Sequence, residues 1–258
     1  MIALLDIGNT RFKYVHYLLD EDIKGSIVEE QCYSAIISID NQELTSKWLT
    51  EHLSNITHLV FANVNDQRYS EILKNWAISK SIPFKIVGTE KSFNNVINGY
   101  TNFGQMGVDR WLALVGAKQM FPTDNCLIID SGTATTFDVL DAQGSHHGGW
   151  ILPGIELMTN SVLESTANVK GSATHVENIA FGKSTSDNLS YASWAATVGA
   201  VEQAIKLAND SGDKPSRVIF TGGNGKLLMQ HCEVNNDLQS FSYVEKLIFI
   251  GLACYIAQ

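Results

Sequence analysis

The sequence predicts a duplicated α/β protein: two similar domains, each opening with a strand–turn–strand hairpin whose first strand ends in an aspartate. Three observations lead there. Leu4-Leu5-Asp6-Ile7-Gly8-Asn9-Thr10-Arg11-Phe12-Lys13 runs from an apolar stretch through a carboxylate and a glycine into a second, alternating stretch. Cys126-Leu127-Ile128-Ile129-Asp130-Ser131-Gly132-Thr133-Ala134-Thr135-Thr136-Phe137-Asp138-Val139 repeats that order, with Asp130 matching Asp6 and Gly132 matching Gly8. The copies stand about half the chain apart, a period far too long for a solenoid and suited to two domains.

The elements follow from spacing. Val15 to Leu19 extends the second strand, Asp20 to Gly25 is a charged turn, and Gln31 to Ile39 alternates enough for a third strand. Asn41 to Leu53 puts Leu44, Trp48, Leu49 and Leu53 at helical spacing, and His58 to Val64 is a short buried strand. Asp66 to Ser79 is a helix with Tyr69, Ile72, Leu73 and Trp76 on one face; Phe84-Lys85-Ile86-Val87 is a strand. Val96 to Gly107 reads as a loop. It leads into a long helix with Asp109 near its start, Trp111, Leu112, Leu114 and Val115 on its apolar faces, and Pro122 barring continuation.

In the second half, the turn Asp141-Ala142-Gln143-Gly144 joins the repeated hairpin to a third strand, which leaves through Gly148-Gly149-Trp150-Ile151-Leu152-Pro153-Gly154. Ile155 to Ala167 is amphipathic, Asn168 to Asn188 a polar loop, and Tyr191 to Asn209 a long alanine-rich helix. Val218-Ile219-Phe220 ends in Thr221-Gly222-Gly223-Asn224-Gly225; Lys226 to Cys232 starts a helix and Tyr243 to Ala257 is an apolar closing helix. The expected domains are 1–116 and 117–258, with the closing helix packing back towards the first.

The chain of 258 residues can bury roughly 75% of its unfolded surface. A hydrophobic content of 45% and a charged content of 17% are those of a globular protein. The net charge of −9 argues against nucleic acid as a partner. An anionic ligand would need a divalent cation and a few placed cationic side chains to supply local attraction. Cys32, Cys126, Cys232 and Cys254 are scattered without a C-x-x-C pair, as expected of buried reduced thiols in a cytoplasmic protein. Met1 to Leu5 is too short for a signal peptide, and Leu247 to Ala257 falls short of the ~20 residues a membrane span needs, so no membrane partner is expected.

The two turns carry the chemistry. A carboxylate at a strand end, such as Asp6, can hold Mg²⁺ through water, while Thr10 and Lys13 offer a hydroxyl and a positive charge to phosphate oxygens. Gly8 admits the positive φ of a narrow turn and lets backbone N–H groups approach an anion. An ordinary hairpin with a solvated aspartate would read the same if it stood alone. The repeat separates the two readings, because two Asp-Gly turns facing a shared cleft would clamp a metal–polyphosphate group from both sides. That nucleotide site needs no G-x-x-x-x-G-K-[ST] loop, and the chain contains none.

Together with the late Thr221-to-Gly225 turn, this pattern resembles the actin-like ATPase superfamily of sugar kinases, acetate kinase and actin. Within it the chain resembles the type III pantothenate kinases. The likeness rests on Asp6 to Lys13, Gly107-Val108-Asp109-Arg110, Asp130 to Thr136, Gly149 to Gly154, and Gly182-Lys183-Ser184-Thr185. It spans the whole length and is weak only over residues 20–95. The resemblance implies two duplicated ribonuclease H-like α/β domains, each with a mixed five-stranded sheet, and a cleft between them. It implies ATP-dependent phosphorylation of pantothenate to 4'-phosphopantothenate, the first step of coenzyme A biosynthesis, in a cytoplasmic homodimer.

It further implies roles for matching residues. Asp109 is the general base, and Tyr100, Gly107, Val108, Asp109, Arg110 and Thr185 bind pantothenate. Asp6, Ile7, Gly8, Asn9, Thr10, Arg11, Phe12, Lys13 and Thr133 bind ATP with its Mg²⁺. A monovalent cation, K⁺ or NH₄⁺, lies near Asp130. Two segments depart from the family. Ser190-Tyr191-Ala192 stands in place of a glycine segment, and Ala62-Asn63-Val64 in place of a serine-rich strand end; neither is expected to touch the phosphate turns.

Two other readings compete. A sugar-type kinase would tend to be longer, often with a zinc-binding Cys/His cluster that this sequence lacks. A regulatory nucleotide-binding protein would have no need of a base such as Asp109. The remaining candidates read as structural: His146 and His147 in a surface hairpin, pointing to opposite faces, and Trp48, Trp76 and Trp194 in the core. Trp150 adjoins the glycine-rich exit, and His175 and His231 receive no role.

Overall fold

A computed structural model describes residues 1–9, 12–17, 46–53, 55–166, 171, 176–212, 214–233 and 240–256. The chain divides into two compact units, Met1–Met120 with Lys246–Gln258, and Phe121–Glu245.

The first unit holds β1 (Ile2–Ile7), β2 (Phe12–Tyr17), α1 (Ser46–Leu53), β3 (His58–Asn63), α2 (Gln67–Ser79) and β4 (Phe84–Val87). It continues with the short strands β5 (Ser92–Phe93) and β6 (Val96–Ile97) and with α3 (Val108–Met120). The sheet order is β2-β1-β3-β4, with β1 antiparallel to β2 and parallel to β3. Strand β1 is buried on both faces, which explains its unbroken apolar sequence. Ala3, Leu5 and Ile7 pack with Leu49, Phe61, Leu73 and Trp76. Ile2 and Leu4 pack on the other side with Ala62, Val108, Leu112, Phe249 and Leu252.

The second unit holds β7 (Cys126–Ser131), β8 (Ala134–Leu140), β9 (His146–Pro153), α4 (Ile155–Ser165), α5 (Thr185–Asp210), β10 (Arg217–Thr221), α6 (Gly225–Glu233) and β11 (Ser240–Tyr243). Its sheet order is β11-β10-β7-β8-β9. Strand β7 is antiparallel to β8 and parallel to β10, as β1 is to β2 and β3. The duplication read from the two Asp-Gly turns is therefore a duplication of topology. Two five-stranded sheets were the expectation; the sheet of the second unit has five strands, while among the described residues the first unit has a four-stranded sheet and the separate pair β5-β6. The expected third strand, Gln31 to Ile39, lies outside them.

Helix α7 (Leu247–Ala253) returns the chain to the first unit, packing antiparallel on α3. A Cβ at Gly116 would strike the Leu247 carbonyl, and one at Gly251 would strike the Leu112 carbonyl, so the backbones meet where only glycine fits. Trp111 Nε1 donates to the Tyr255 hydroxyl at 2.9 Å, and the Tyr255 ring stacks on Phe93 with centroids 3.8 Å apart. Burial pushes the Tyr255 phenol far above its ordinary range. Among the described residues no helix is long and apolar enough to cross a membrane.

Several local expectations change. Val96 to Gly107 is not all loop: β6 pairs with β5 across Asn94 and Asn95, both at positive φ, and Phe103–Gln105 forms a 3₁₀ turn. Helix α5 starts at Thr185 rather than Tyr191, because Ser184 Oγ caps it by accepting the Asp187 N–H at 3.1 Å. Tyr243 ends strand β11, which pairs with β10, and the closing helix begins only at Leu247.

The two histidines do take opposite faces, but His146 is buried, 3% exposed, with Nε2 2.9 Å from Asp138 Oδ1. His147 meets Asp141 at the surface. His146→Ala should lower the unfolding free energy by about 3 kcal/mol, through a lost buried hydrogen bond and a cavity. His147→Ala should cost under about 1 kcal/mol. Urea melts of the two variants check this ordering.

Candidate functional site

Asp6 is the penultimate residue of β1 and is 7% exposed. Lys13 lies directly across on β2 and Ala62 beside it on β3. Side chains alternate along a strand, so Asp6 shares the face of Ile2 and Leu4, the face that α3 covers. Ile7 and Phe12 are core residues, Phe12 standing edge-on to Trp48 with ring centroids 5.5 Å apart. Any part they take at a ligand falls to their backbone. Thr10 and Arg11 lie outside the described residues. Gly8 is not among the described glycines with positive φ, contrary to the expectation for a narrow turn.

The strand end at Ala62-Asn63-Val64 does touch this turn, contrary to expectation. The Val64 N–H donates to the Ile7 carbonyl at 3.0 Å. Asn65 Nδ2 donates to the carbonyls of Gly8 and Asn9 at 3.0 and 3.2 Å. In the sequence Asn63 stands out only as part of a departing strand end, and Asn65 is not singled out. Their only signal was two short amides just before the helix-capping Asp66, a residue type that mimics backbone hydrogen bonding.

Asp109 lies in the first turn of α3, where the helix dipole favours a carboxylate. A Cβ at Gly107 would crowd Asp109 Oδ1, so the glycine makes room for that side chain. Asp109 Oδ1 accepts the Arg110 N–H at 2.8 Å. Arg110 is 5% exposed; its Nη1 donates to the Tyr100 hydroxyl at 2.7 Å, and its guanidinium carbon sits 5.6 Å from the Tyr100 ring centre. Tyr100 is held by its N–H on Asn98 Oδ1 at 2.9 Å, and Thr89 Oγ1 anchors the loop by donating to the Met106 carbonyl at 2.8 Å. Val108 packs in the same apolar cluster as Leu4 and Ala62. The fold thus sets the start of α3 on the sheet face that Asp6 and Lys13 share.

In the second unit three distant segments meet around Asp130. Its β-ladder neighbours are Thr136 on β8 and Thr221 on β10. Gly222, at φ +85°, lies against it: a Cβ there would strike Asp130 Oδ1 and come within 2.6 Å of the Ser131 carbonyl oxygen. The Asn224 N–H donates to that same carbonyl at 2.9 Å. From the β9 exit, the Gly154 N–H donates to the Thr133 carbonyl at 3.0 Å, with no room for a Cβ against Gly132 and Thr133. Gly132 itself is roomy, since a Cβ there would find nothing closer than 3.9 Å. The Tyr243 phenol is pushed up by burial and then by the charges of Glu245 and Asp130. Thr133 is exposed, and so is Thr185 at the first position of α5.

Among the described residues no three His, Cys, Asp or Glu side chains converge on a metal position. Single carboxylates at two strand ends are instead the donors a hard cation takes when phosphate and water supply its other ligands.

The type III pantothenate kinase family model matches residues 2–207. A type III pantothenate kinase from Colwellia psychrerythraea is 38% identical over 99% of this chain and 100% of its own length. Among solved structures, one described as a Baf family transcriptional activator from Campylobacter jejuni superposes with a TM-score of 0.59 at 23% identity, covering 99% of this chain and 97% of that one. The activator of the 2-hydroxyisocaproyl-CoA dehydratase from Clostridium difficile, with bound ADPNP, gives 0.52 at 13% identity over 98% and 93%. These likenesses show an α/β fold with mixed sheets. With a family model covering most of its length and a relative matching it from end to end, this chain belongs to the type III pantothenate kinase family.

Proposed function

We propose that this chain transfers the γ-phosphoryl group of ATP to the primary hydroxyl of pantothenate, giving 4'-phosphopantothenate and ADP, the first step towards coenzyme A. The observation that carries this reading is the end-to-end match to a type III pantothenate kinase at 38% identity. The new bond joins the hydroxyl oxygen to the γ-phosphorus, and the bond to the ADP oxygen breaks. Asp109 takes the hydroxyl proton. Arg110, oriented by Tyr100, offers its planar fork to the carboxylate of pantothenate or to the phosphoryl group in transfer. Gly107, Val108 and Thr185 complete the pantothenate contacts.

Asp6 to Lys13 and Thr133 hold ATP. Mg²⁺, bound with ATP, neutralises charge on the phosphate oxygens. The acidic Asp130, cradled where Gly222 leaves space for no Cβ, suits an oxygen-ligated K⁺ or NH₄⁺. A homodimer and a cytoplasmic location belong to the same reading. A sugar-type acceptor and a purely regulatory role are not favoured, since the whole-length relatives are pantothenate kinases.

The test is ADP release by the purified protein with ATP, Mg²⁺ and pantothenate, in K⁺ or in Na⁺ alone. Release should depend on pantothenate and fall at least tenfold without K⁺ or NH₄⁺. Release that ignores pantothenate would overturn the acceptor, and equal rates in Na⁺ would remove the monovalent cation.

A further inference from the structure

The loop after β3 holds the carbonyls of Gly8 and Asn9, the residues that follow β1. Asn65 Nδ2 uses its two hydrogens on consecutive carbonyls, Gly8 at 3.0 Å and Asn9 at 3.2 Å. Its amide cannot flip without loss, because Oδ1 accepts the Asp66 N–H at 2.6 Å. Asn63 holds Asn65 in turn. Asn63 Oδ1 accepts the Asn65 N–H at 2.8 Å, while Nδ2 donates to the Asp66 carbonyl at 3.0 Å and to Ser70 Oγ at 2.8 Å. Ser70 is a buried residue of α2. Two asparagines therefore tie the turn's carbonyls to a helix.

The consequence lies on the other side of the peptide. A trans peptide carries its C=O and N–H in opposite directions, and no described peptide is cis. Pinning the Gly8 carbonyl towards Asn65 aims the Asn9 N–H away from it. A turn that cradles an anion needs its N–H groups towards the ligand and its carbonyls turned back, since a carbonyl oxygen facing a phosphate oxygen repels it. We infer that Asn65 is a positioning residue for the polyphosphate of ATP, acting through the Gly8 and Asn9 carbonyls rather than by contact. This rests on the reading that the β1–β2 turn holds ATP.

Asn65→Asp keeps the size and the acceptor for Asp66 but sets a carboxylate against two carbonyls. Asn65→Ala removes the donors with no new charge, and serves if the aspartate variant does not fold. Steady-state kinetics with each substrate varied should show the KM for ATP raised about tenfold in Asn65→Ala, and more in Asn65→Asp. The KM for pantothenate should stay within about twofold. A merely structural role would move the melting temperature, or both KM values together, and leave their ratio unchanged; that result overturns the inference. Asp6→Asn separates this inference from the reading beneath it. If Asp6→Asn loses ATP binding by calorimetry while both Asn65 variants keep the native KM for ATP, the turn holds ATP and Asn65 does not aim it. If Asp6→Asn binds ATP as the native protein does, the ATP-turn reading fails and the inference with it.

Discussion

Asp109→Asn should lower kcat by about 10²–10⁴-fold, the contribution of a positioned general base, while the KM for ATP stays within about twofold. The substitution is chosen by the geometry. Asp109 Oδ1 accepts the Arg110 N–H in the first turn of α3, and an asparagine oxygen can accept the same bond. The side-chain volume is kept, and so is the space provided by Gly107. The folded state loses only a charge at a helix N-terminus, about 0.5 kcal/mol. What an amide cannot do is take the hydroxyl proton. The loss should therefore appear in turnover and not in a calorimetric titration with ATP or in a thermal melt. A variant with near-native kcat would remove Asp109 from the mechanism and leave the fold argument untouched.

Gly251→Ala should be strongly damaging to the first unit. Its Cβ would strike the Leu112 carbonyl oxygen and lie 2.9 Å from the Leu112 carbonyl carbon and 3.1 Å from its Cα. These are backbone atoms of α3, so no rotamer change relieves the contact. Helix α7 must back away and open the packing of Phe249 and Leu252 against Leu4 and Leu112. Overpacking of this kind costs about 3 kcal/mol, equivalent to a fall in melting temperature of roughly 6–12 °C. Because α3 carries Asp109 and Arg110, kcat should drop together with stability, whereas Asp109→Asn separates the two. Differential scanning calorimetry and kinetics on one preparation test it. A native melting temperature would mean that the two helices do not meet at these glycines.

Much of this was legible because it is local. The hairpins at Asp6 and Asp130, the start of α3 and the Thr221-to-Gly225 turn are each written within about ten residues, as apolar periodicity interrupted by a carboxylate or glycine. What stayed hidden depends on partners far along the chain. Asn65 acquires its meaning from carbonyls 57 and 56 residues away, through a parallel pairing of β1 with β3 that no local pattern encodes. His146 looks like any turn histidine until the antiparallel pairing of β8 and β9 turns it towards Asp138. Tyr243 reads as the start of an apolar helix, yet it ends the strand Ser240 to Tyr243 on the edge of β10. The α5 start was misread for a different reason: Ser184 is a good cap, but a polar first turn carries little hydrophobic signal.

The pairing of α3 with α7 also bears on how the chain is made. The second unit is one uninterrupted stretch, while the first takes its last helix from beyond it. As the polypeptide leaves the ribosome, the α3 surface around Leu112 and Gly116 has no cover until Lys246 and the residues after it emerge. At about 5–20 residues per second, the whole second unit must pass first, a delay of roughly ten seconds. The nascent chain therefore carries the helix that bears Asp109 with an exposed apolar face, a binding site for chaperones, through about half of its synthesis. A nascent chain ending at Glu245, held on the ribosome by a linker long enough to clear the exit tunnel, should display a protease-resistant second unit and a first unit still open to cleavage.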